Sequence, residues 1–337
     1  MQNISSTDIV IIGGGPVGLF AVFQAGMLGM KSHLFDTLDI LGGQCAALYP
    51  KKPIYDIPAH PNIDAIDLVN NLIEQAKPFE PVYHNSDQVL EIQEHGKEWK
   101  ITTKSGFEII SKIVLIAAGN GAFVPNHPLL PGIEEFEKHG SILYSVKDYD
   151  QFIDKNVLIA GGGDSAIDWT NILANFAKKV FLVHRRDKFR CSPDSLSQAK
   201  KLEELGKVEF VTPYQIEQIK GVKGIVNSVI VRNLEHQEKE VYADKILFCY
   251  GLKMSLGPIE SWNLNLHNNR IVVDPSTFQT NLQGVYAVGD IATYPRKLKL
   301  ILVGFSEVAY ALHHAYDKVF SGAHLHFEYS TSKGLPR

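Results

Sequence analysis

The sequence predicts an α/β chain made of two parallel-sheet units in tandem, the second inserted in the first, each carrying a small antiparallel β meander. Three observations predict it. A strand, glycine turn, helix, strand pattern occurs twice, beginning at Asp8 and at Asn156. Each copy leads into short strands and then an apolar strand that runs into glycine, ending at Ala117 before Gly119 and at Tyr250 before Gly251. From Ser255 onward the chain starts no third unit, so it reads as returning to complete the first.

In the first copy, the apolar run Asp8 to Ile12 is followed at once by Gly13-Gly14-Gly15-Pro16-Val17-Gly18. Leu19 to Leu28 has helix-compatible apolar spacing, and Lys31 to Phe35 is strand-like and ends on Asp36. The spacing has a chemical reason. Gly13 allows a tight turn, Gly15 lets a pyrophosphate approach the backbone, and Gly18 lets the helix press on the strand. Amide donors at the helix start would hold phosphates. Asp36, 23 residues after Gly13, would accept hydrogen bonds from an adenosine ribose. A glycine turn so placed, between two strands and with the acid at the far end, is a dinucleotide site.

The second copy has Asn156 to Ala160 as strand, Gly161-Gly162-Gly163-Asp164-Ser165-Ala166 as turn, Ile167 to Phe176 as helix and Lys179 to Val183 as strand. That strand ends on His184-Arg185-Arg186 where the first ended on an acid. Two guanidiniums there suit a ribose carrying a 2′-phosphate, because arginine binds phosphate with a planar fork of donors. Arg190 is close enough in sequence to join them; a solvated basic loop is the plainer alternative. Each copy is therefore a Rossmann-like, three-layer dinucleotide-binding domain, at 1–119 with 251–337 and at 120–250.

Length and charge agree. The 337 residues and 45% hydrophobic content give each domain a core, and a net charge of -4 with no long basic run argues against nucleic acid as a partner. The first apolar run stops at glycines and follows no positive charge, so neither a signal peptide nor a membrane span is expected, and the location expected is cytoplasmic. Cys45, Cys191 and Cys249 are far apart, with no CxxC and no metal pattern.

Between the two copies, Leu41-Gly42-Gly43-Gln44-Cys45 reads as a glycine-rich turn that returns the chain to the nucleotide crevice, where Gln44 and Tyr49 can meet the working end of a cofactor; an ordinary loop fits the spacing equally. Asp64 to Ala76 reads as a helix with Ile66, Val69, Leu72 and Ile73 on one face. Val89 to Ile92, Trp99 to Thr102 and Glu108 to Ile110 are short strands, Lys112 to Ala117 a further one, and Pro125, Pro128 and Pro131 mark a crossing between domains. Ile216 to Ile219, Ile225 to Arg232 and Glu240 to Tyr242 repeat the meander. In the last stretch Arg270 to Val273 and Gly284 to Val288 are strands, the second ending at Gly289-Asp290, and Ile301 to Phe320 is a long helix. Asp290 at a strand's end can hold a ribityl hydroxyl or cap a helix.

The two glycine turns, the closing Gly289-Asp290 and the insertion of one unit in the other resemble the pyridine nucleotide-disulfide reductase superfamily over nearly the whole chain. His184 to Arg190 resembles the NADPH phosphate segment of thioredoxin reductases. The redox cysteines of those enzymes are missing: Leu143-Tyr144-Ser145-Val146-Lys147 stands where a CxxC is expected, and Cys45 is followed five places on by Pro50 where a second cysteine is expected. A single cysteine forms no cycling disulfide. The chain most resembles the thioredoxin-reductase-like ferredoxin/flavodoxin-NADP reductases, homodimeric flavoenzymes without the disulfide, through Gly161 to Ala166, Ser255-Leu256-Gly257-Pro258 and a tail near Ser330-Thr331-Ser332.

That resemblance implies FAD contacts at Asp36, Gln44, Tyr49, Val89, Phe123, Asp290 and Thr331, with Tyr49 stacked on the isoalloxazine; Tyr329 precedes the tail motif where some relatives place a histidine against the opposite ring face, and its own role stays open. It implies NADPH at Gly161, Gly163, Asp164, Ser165, Arg185, Arg186 and Arg190. The expected activity is a FAD-dependent ferredoxin-NADP oxidoreductase: hydride transfer between NADPH and FAD N5, then single-electron exchange with ferredoxin or flavodoxin, with no acid or base residue required. An NADPH-dependent flavin oxidase or quinone reductase uses the same sites, and a nucleotide sensor without turnover is the non-enzymatic alternative. A basic face is expected for an acidic ferredoxin, with Lys51-Lys52 and Arg296-Lys297-Leu298-Lys299 as its candidates.

Overall fold

The computed structural model describes residues 5–321 with Leu325, Thr331, Gly334 and Leu335, without the side chains of Phe123, Val124 and Met254. The chain divides into two compact units, Met1–Phe123 with Met254–Arg337, and Val124–Lys253.

The first unit opens with β1 (Ser5–Ile12), α1 (Pro16–Met27) and β2 (Ser32–Phe35). Every residue from Ile9 to Ile12 is buried, as in a parallel strand covered on both faces. Then comes α2 (Gly43–Leu48), a helix where the sequence reads as turn and loop. Six residues are too few for a 3.6-residue period to declare itself, and burial of Cys45 and Ala46 decides the conformation. After β3 (Pro53–Ile54) and β4 (Ile63–Asp64), which pair antiparallel, α3 (Ala65–Ala76) buries Ala65, Leu68, Val69, Leu72 and Ala76. The buried stripe is turned slightly from the expected one, leaving Ile66 and Ile73 half-buried at its edge.

β5 (Val82–His84), β6 (Val89–His95), β7 (Glu98–Thr103) and β8 (Glu108–Ile116) complete the sheet in the order β5-β2-β1-β8-β7-β6. The two strands expected over 108–117 are one. β8 lies parallel to β1 and antiparallel to β7, so Ile109 faces Ser5 on one side and Ile101 on the other. Ser111, the apparent break, is fully buried and donates its hydroxyl to the Ile113 carbonyl at 2.6 Å. A buried hydroxyl with its own acceptor does not end a strand.

The chain crosses in β9 (Ala122–Pro125). The second unit contains α4 (Ile133–Lys138), β10 (Ile142–Leu143), β11 (Asn156–Ala160), α5 (Asp164–Leu173), β12 (Lys179–Val183), α6 (Pro193–Glu204) and β13 (Val208–Val211). Next come β14 (Gln215–Val222), β15 (Ile225–Arg232), β16 (Glu238–Tyr242) and β17 (Lys245–Phe248). Its parallel sheet runs β10-β17-β11-β12-β13, and the meander β14-β15-β16 is a separate sheet. The helix expected over 167–176 starts and stops three residues earlier, at the glycine turn itself.

The chain crosses back in β18 (Leu252–Ser255), which pairs with β9. The return supplies β19 (Leu266–His267), β20 (Arg270–Val272), β21 (Val285–Ala287), β22 (Ala292–Thr293) and α7 (Ile301–Val319). β21 lies parallel to β8, with Val285 opposite Val114, and so becomes the added strand of the first sheet. The order β5-β2-β1-β8-β21 brings the carboxyl ends of five parallel strands to one edge. Ligands of open α/β sheets bind at that edge.

Candidate functional site

The first glycine turn joins β1 to α1 in a conformation that the packing dictates. A Cβ on Gly18 would fall 1.9 Å from the Gly13 carbonyl oxygen, whereas a Cβ on Gly15 would meet nothing within 4 Å. The helix is pressed onto the strand and the space in front of Gly15 is left open, a cradle for a group that must touch backbone. Pro16 occupies the first helical turn, no side chain caps the helix, and its first turn holds no acid. Its free amides are therefore available to an anion.

Asp36 lies beside this turn, only 8% exposed. Its Oδ2 accepts from the Gly14 amide at 2.5 Å and its Oδ1 from the Leu38 amide at 2.8 Å. Burial pushes its carboxyl above the usual carboxylate range, and the amides of Leu38, Gly14 and Thr37 pull the other way. The Asp36 amide in turn donates to the His84 carbonyl at 3.0 Å. His84 stacks on Phe35 with ring centroids 4.2 Å apart and approaches His33 at 2.9 Å between ring nitrogens.

α2 brings Gln44, Cys45 and Tyr49 to the same region. The Gly42 amide donates to the Gly14 carbonyl at 2.8 Å, which ties the start of α2 to the glycine turn. Gln44 is half-buried. The Cys45 thiol donates to Tyr49 Oη at 3.6 Å. Burial pushes the Cys45 thiol up, and the Asp290 carboxylate adds to that push while Tyr49 opposes it. Burial, then Cys45 and Asp290, also hold the Tyr49 hydroxyl well above the ordinary phenol range. Both stay protonated, and Asp290 is near enough for its charge to be felt by both. Gly289 packs against Val17 and Gly43 against Gly15, so the turn that carries Asp290 and the start of α2, far apart in sequence, both border the start of α1.

Asp290 sits in the one-turn helix Gly289–Ile291 that follows β21, and α7 has no side-chain cap, so Asp290 is not its cap. The turn is held by residues that sequence reasoning missed. Glu307 on α7, 1% exposed, accepts from the Gly289 amide at Oε2, 2.6 Å away, and at Oε1 from Tyr294 Oη, also 2.6 Å away, and from Lys297 Nζ. Arg270 Nε donates to the Asp290 carbonyl at 3.0 Å. The available signal was a lone acid inside an otherwise apolar helical stripe. Lys297 is thereby removed from the basic face expected over 296–299; Arg296 and Lys299 are exposed, as is Lys51.

The second unit repeats the cradle. A Cβ on Gly163 would meet nothing closer than the Arg190 carbonyl oxygen at 3.9 Å, while Gly161 is crowded by Cys249. The Arg190 amide donates to the Gly162 carbonyl at 2.8 Å, and Gly163 and Arg190 form a parallel bridge. Asp164 Oδ1 accepts from the Ser192 amide at 2.9 Å. The segment carrying Arg190 is therefore bolted to the rim of the turn. Asp164 and Ser165 are exposed at the start of α5, and Arg185, Arg186 and Arg190 are all exposed. The His184 ring packs against Gly162; burial lowers its pKa, the Lys188 backbone opposes that, and the Arg185, Arg186 and Arg190 guanidiniums lower it further.

Among the other expected site residues, Val89 is buried at the start of β6 and Thr331 is exposed. Phe123 has its backbone in β9 and its side chain outside the described residues, and Tyr329, Ser330 and Ser332 lie outside them altogether. Cys45, Cys191 and Cys249 form no disulfide. Among the described residues no helix is long and apolar enough to cross a membrane, and no cluster of three or more His, Cys, Asp or Glu could hold a metal ion.

The model of the pyridine nucleotide-disulphide oxidoreductase family matches residues 7–314. The chain belongs to this family. Relatives in it include a ferredoxin–NADP reductase of Rickettsia bellii (strain OSU 85-389), 52% identical over 328 residues that cover 97% of this chain and 98% of the relative. Another, from Rickettsia canadensis (strain McKiel), is 53% identical and bears the same name, with 97% of each chain covered. The thioredoxin reductase of Lactococcus lactis in its FR conformation superposes with a TM-score of 0.77 and 28% identity, covering 93% of this chain and 99% of that one. The two-domain Rossmann architecture of the family is therefore the architecture of this chain.

Proposed function

We propose that the chain is a FAD-dependent ferredoxin–NADP oxidoreductase that passes electrons between NADPH and a one-electron carrier. One observation carries the reading. Two glycine cradles of the same design end differently, one on the buried acid Asp36 and the other on Arg185, Arg186 and Arg190, in a chain without a pair of neighbouring cysteines. An acid suits a plain ribose and arginines a phosphorylated one. The open backbone at Gly15 and Gly163 fits a pyrophosphate in each unit.

In this reading the unit Met1–Phe123 with Met254–Arg337 binds FAD and the unit Val124–Lys253 binds NADPH. The α1 amides, Gly15 and Asp36 hold the adenosine half of FAD, and Gln44, Tyr49 and Asp290 orient the other half. Tyr49 covers the ring system with a side chain that stays protonated, so it excludes water without offering a charge. Val89, Phe123 and Thr331 complete the contacts. FAD supplies the hydride-accepting N5 and the capacity to hand electrons on singly. On the other unit Gly161, Gly163, Asp164 and Ser165 frame the pyrophosphate, and the three arginines clamp the 2′-phosphate.

The relatives' name supports ferredoxin as carrier, and flavodoxin has the same one-electron chemistry. Exposed Lys51, Arg296 and Lys299 are the basic residues proposed to meet an acidic carrier. The homodimer and the cytoplasmic location belong to this proposal through the family likeness. The test is an anaerobic assay of the flavin-loaded protein with NADPH and, in parallel, ferredoxin, flavodoxin, a quinone and thioredoxin. Preferred reduction of ferredoxin or flavodoxin supports the reading; preferred reduction of the quinone moves the chain to the quinone reductases.

A further inference from the structure

The Gly289-Asp290 turn is held by a buried ion pair, which is an unusual support for a loop. Gly289 has φ +73, a conformation that costs other residues strain, and its Cα lies 3.4 Å from the position of a Cβ built on Gly304. That same Cβ would fall 2.4 Å from Val17 Cγ2. The start of α7, the start of α1 and the turn after β21 therefore meet at close range. Glu307 lies under this meeting point. Its carboxylate takes the Gly289 amide, the Tyr294 hydroxyl and the Lys297 ammonium, and the Lys297 side chain is itself only 7% exposed.

A buried pair of this kind is weak evidence for stability, because desolvation offsets most of the attraction. What it fixes is geometry. With its Gly289 amide on Glu307 and its Asp290 carbonyl on Arg270, the turn has its backbone pinned on both sides of the Asp290 side chain.

We infer that Glu307 is a positioning residue for the flavin site: it fixes the Gly289 amide, and so the place of Asp290 beside the start of α1. This rests on the reading of the first unit as the FAD domain. Glu307 touches no cofactor in this account. It acts through Gly289, and Lys297 balances its charge.

The test uses the full chain stripped of flavin and titrated with FAD, with NADPH affinity as the control on the other unit. The double variant Glu307→Ala with Lys297→Met removes the pair without stranding a charge. It is expected to bind FAD about tenfold more weakly or worse with NADPH binding unchanged. The double variant Glu307→Gln with Lys297→Met keeps an acceptor for the Gly289 amide and is expected to restore wild-type FAD affinity. The inference is overturned if the alanine variant binds FAD as the wild type does, or if both variants lose FAD equally. Failure of the wild-type chain itself to bind FAD would remove the flavin reading as well, and is distinct from either result.

Discussion

The Gly14 amide donates to Asp36 Oδ2 at 2.5 Å, so the acid at the end of β2 is locked to the turn it serves before any ligand arrives. Asp36→Asn must give up at least one of the amides that its two oxygens accept, since one end of an amide presents N–H to an N–H donor. A buried unsatisfied donor costs about 1–3 kcal/mol. Denaturant unfolding should show that loss for the variant, and FAD titration should show weakened binding.

Arg185, Arg186 and Arg190 are exposed, and Arg190 borders the open Gly163. Each Arg→Ala variant should weaken NADPH binding by about tenfold, the value of a charge-assisted contact, and leave NADH binding nearly unchanged. Comparing kcat/KM for the two nucleotides checks this. Equal losses for both would mean the guanidiniums serve the fold or the pyrophosphate.

The His33 and His84 rings meet at 2.9 Å, and both pKa values lie below the ordinary imidazole value of 6.5. Burial is the main cause for each, His84 adds to it for His33, and Asp87 opposes it for His84. The folded state therefore prefers both rings uncharged. Their contribution to stability is present above about pH 6.5 and is lost as the pH falls through the folded-state values. His33→Asn should flatten the fall in melting temperature below pH 6.5; an unchanged slope would show that other groups carry it.

The glycine turns and their flanking strands were legible because local spacing sets them: Gly13 to Gly18 must turn, and Asp36 must follow a strand. Lys297 was not legible. In sequence it stands between Arg296 and Leu298 in a basic run, yet in the structure its charge is buried on Glu307. A long-range pair leaves no period to detect. The continuity of β8 is hidden for the opposite, local reason: a polar Ser111 looks like a break, but its hydroxyl finds its acceptor two residues on. α2 was missed because its length is under two turns. The family resemblance added what spacing could not, above all roles for Tyr49 and Asp290, which lie on segments that come to the start of α1 only in the folded unit.

None of the three cysteines is in a disulfide, and burial raises the pKa of Cys45 and of Cys191. Neither is poised as a thiolate nucleophile. The triple variant Cys45→Ser, Cys191→Ser, Cys249→Ser should keep its ferredoxin reductase activity, apart from any loss that follows weaker flavin binding at Tyr49. Steady-state rates at saturating FAD check this, and abolished electron transfer with flavin fully bound would show that a thiol takes part.

In the proposed reaction electrons leave the protein without passing through a disulfide. The most direct measurement is the anaerobic stoichiometry of ferredoxin reduced per NADPH consumed, with free thiols counted before and after. Two one-electron ferredoxins reduced per NADPH and an unchanged thiol count are expected. NADPH consumption that yields new thiols or reduced thioredoxin, with ferredoxin left oxidised, would contradict that reaction.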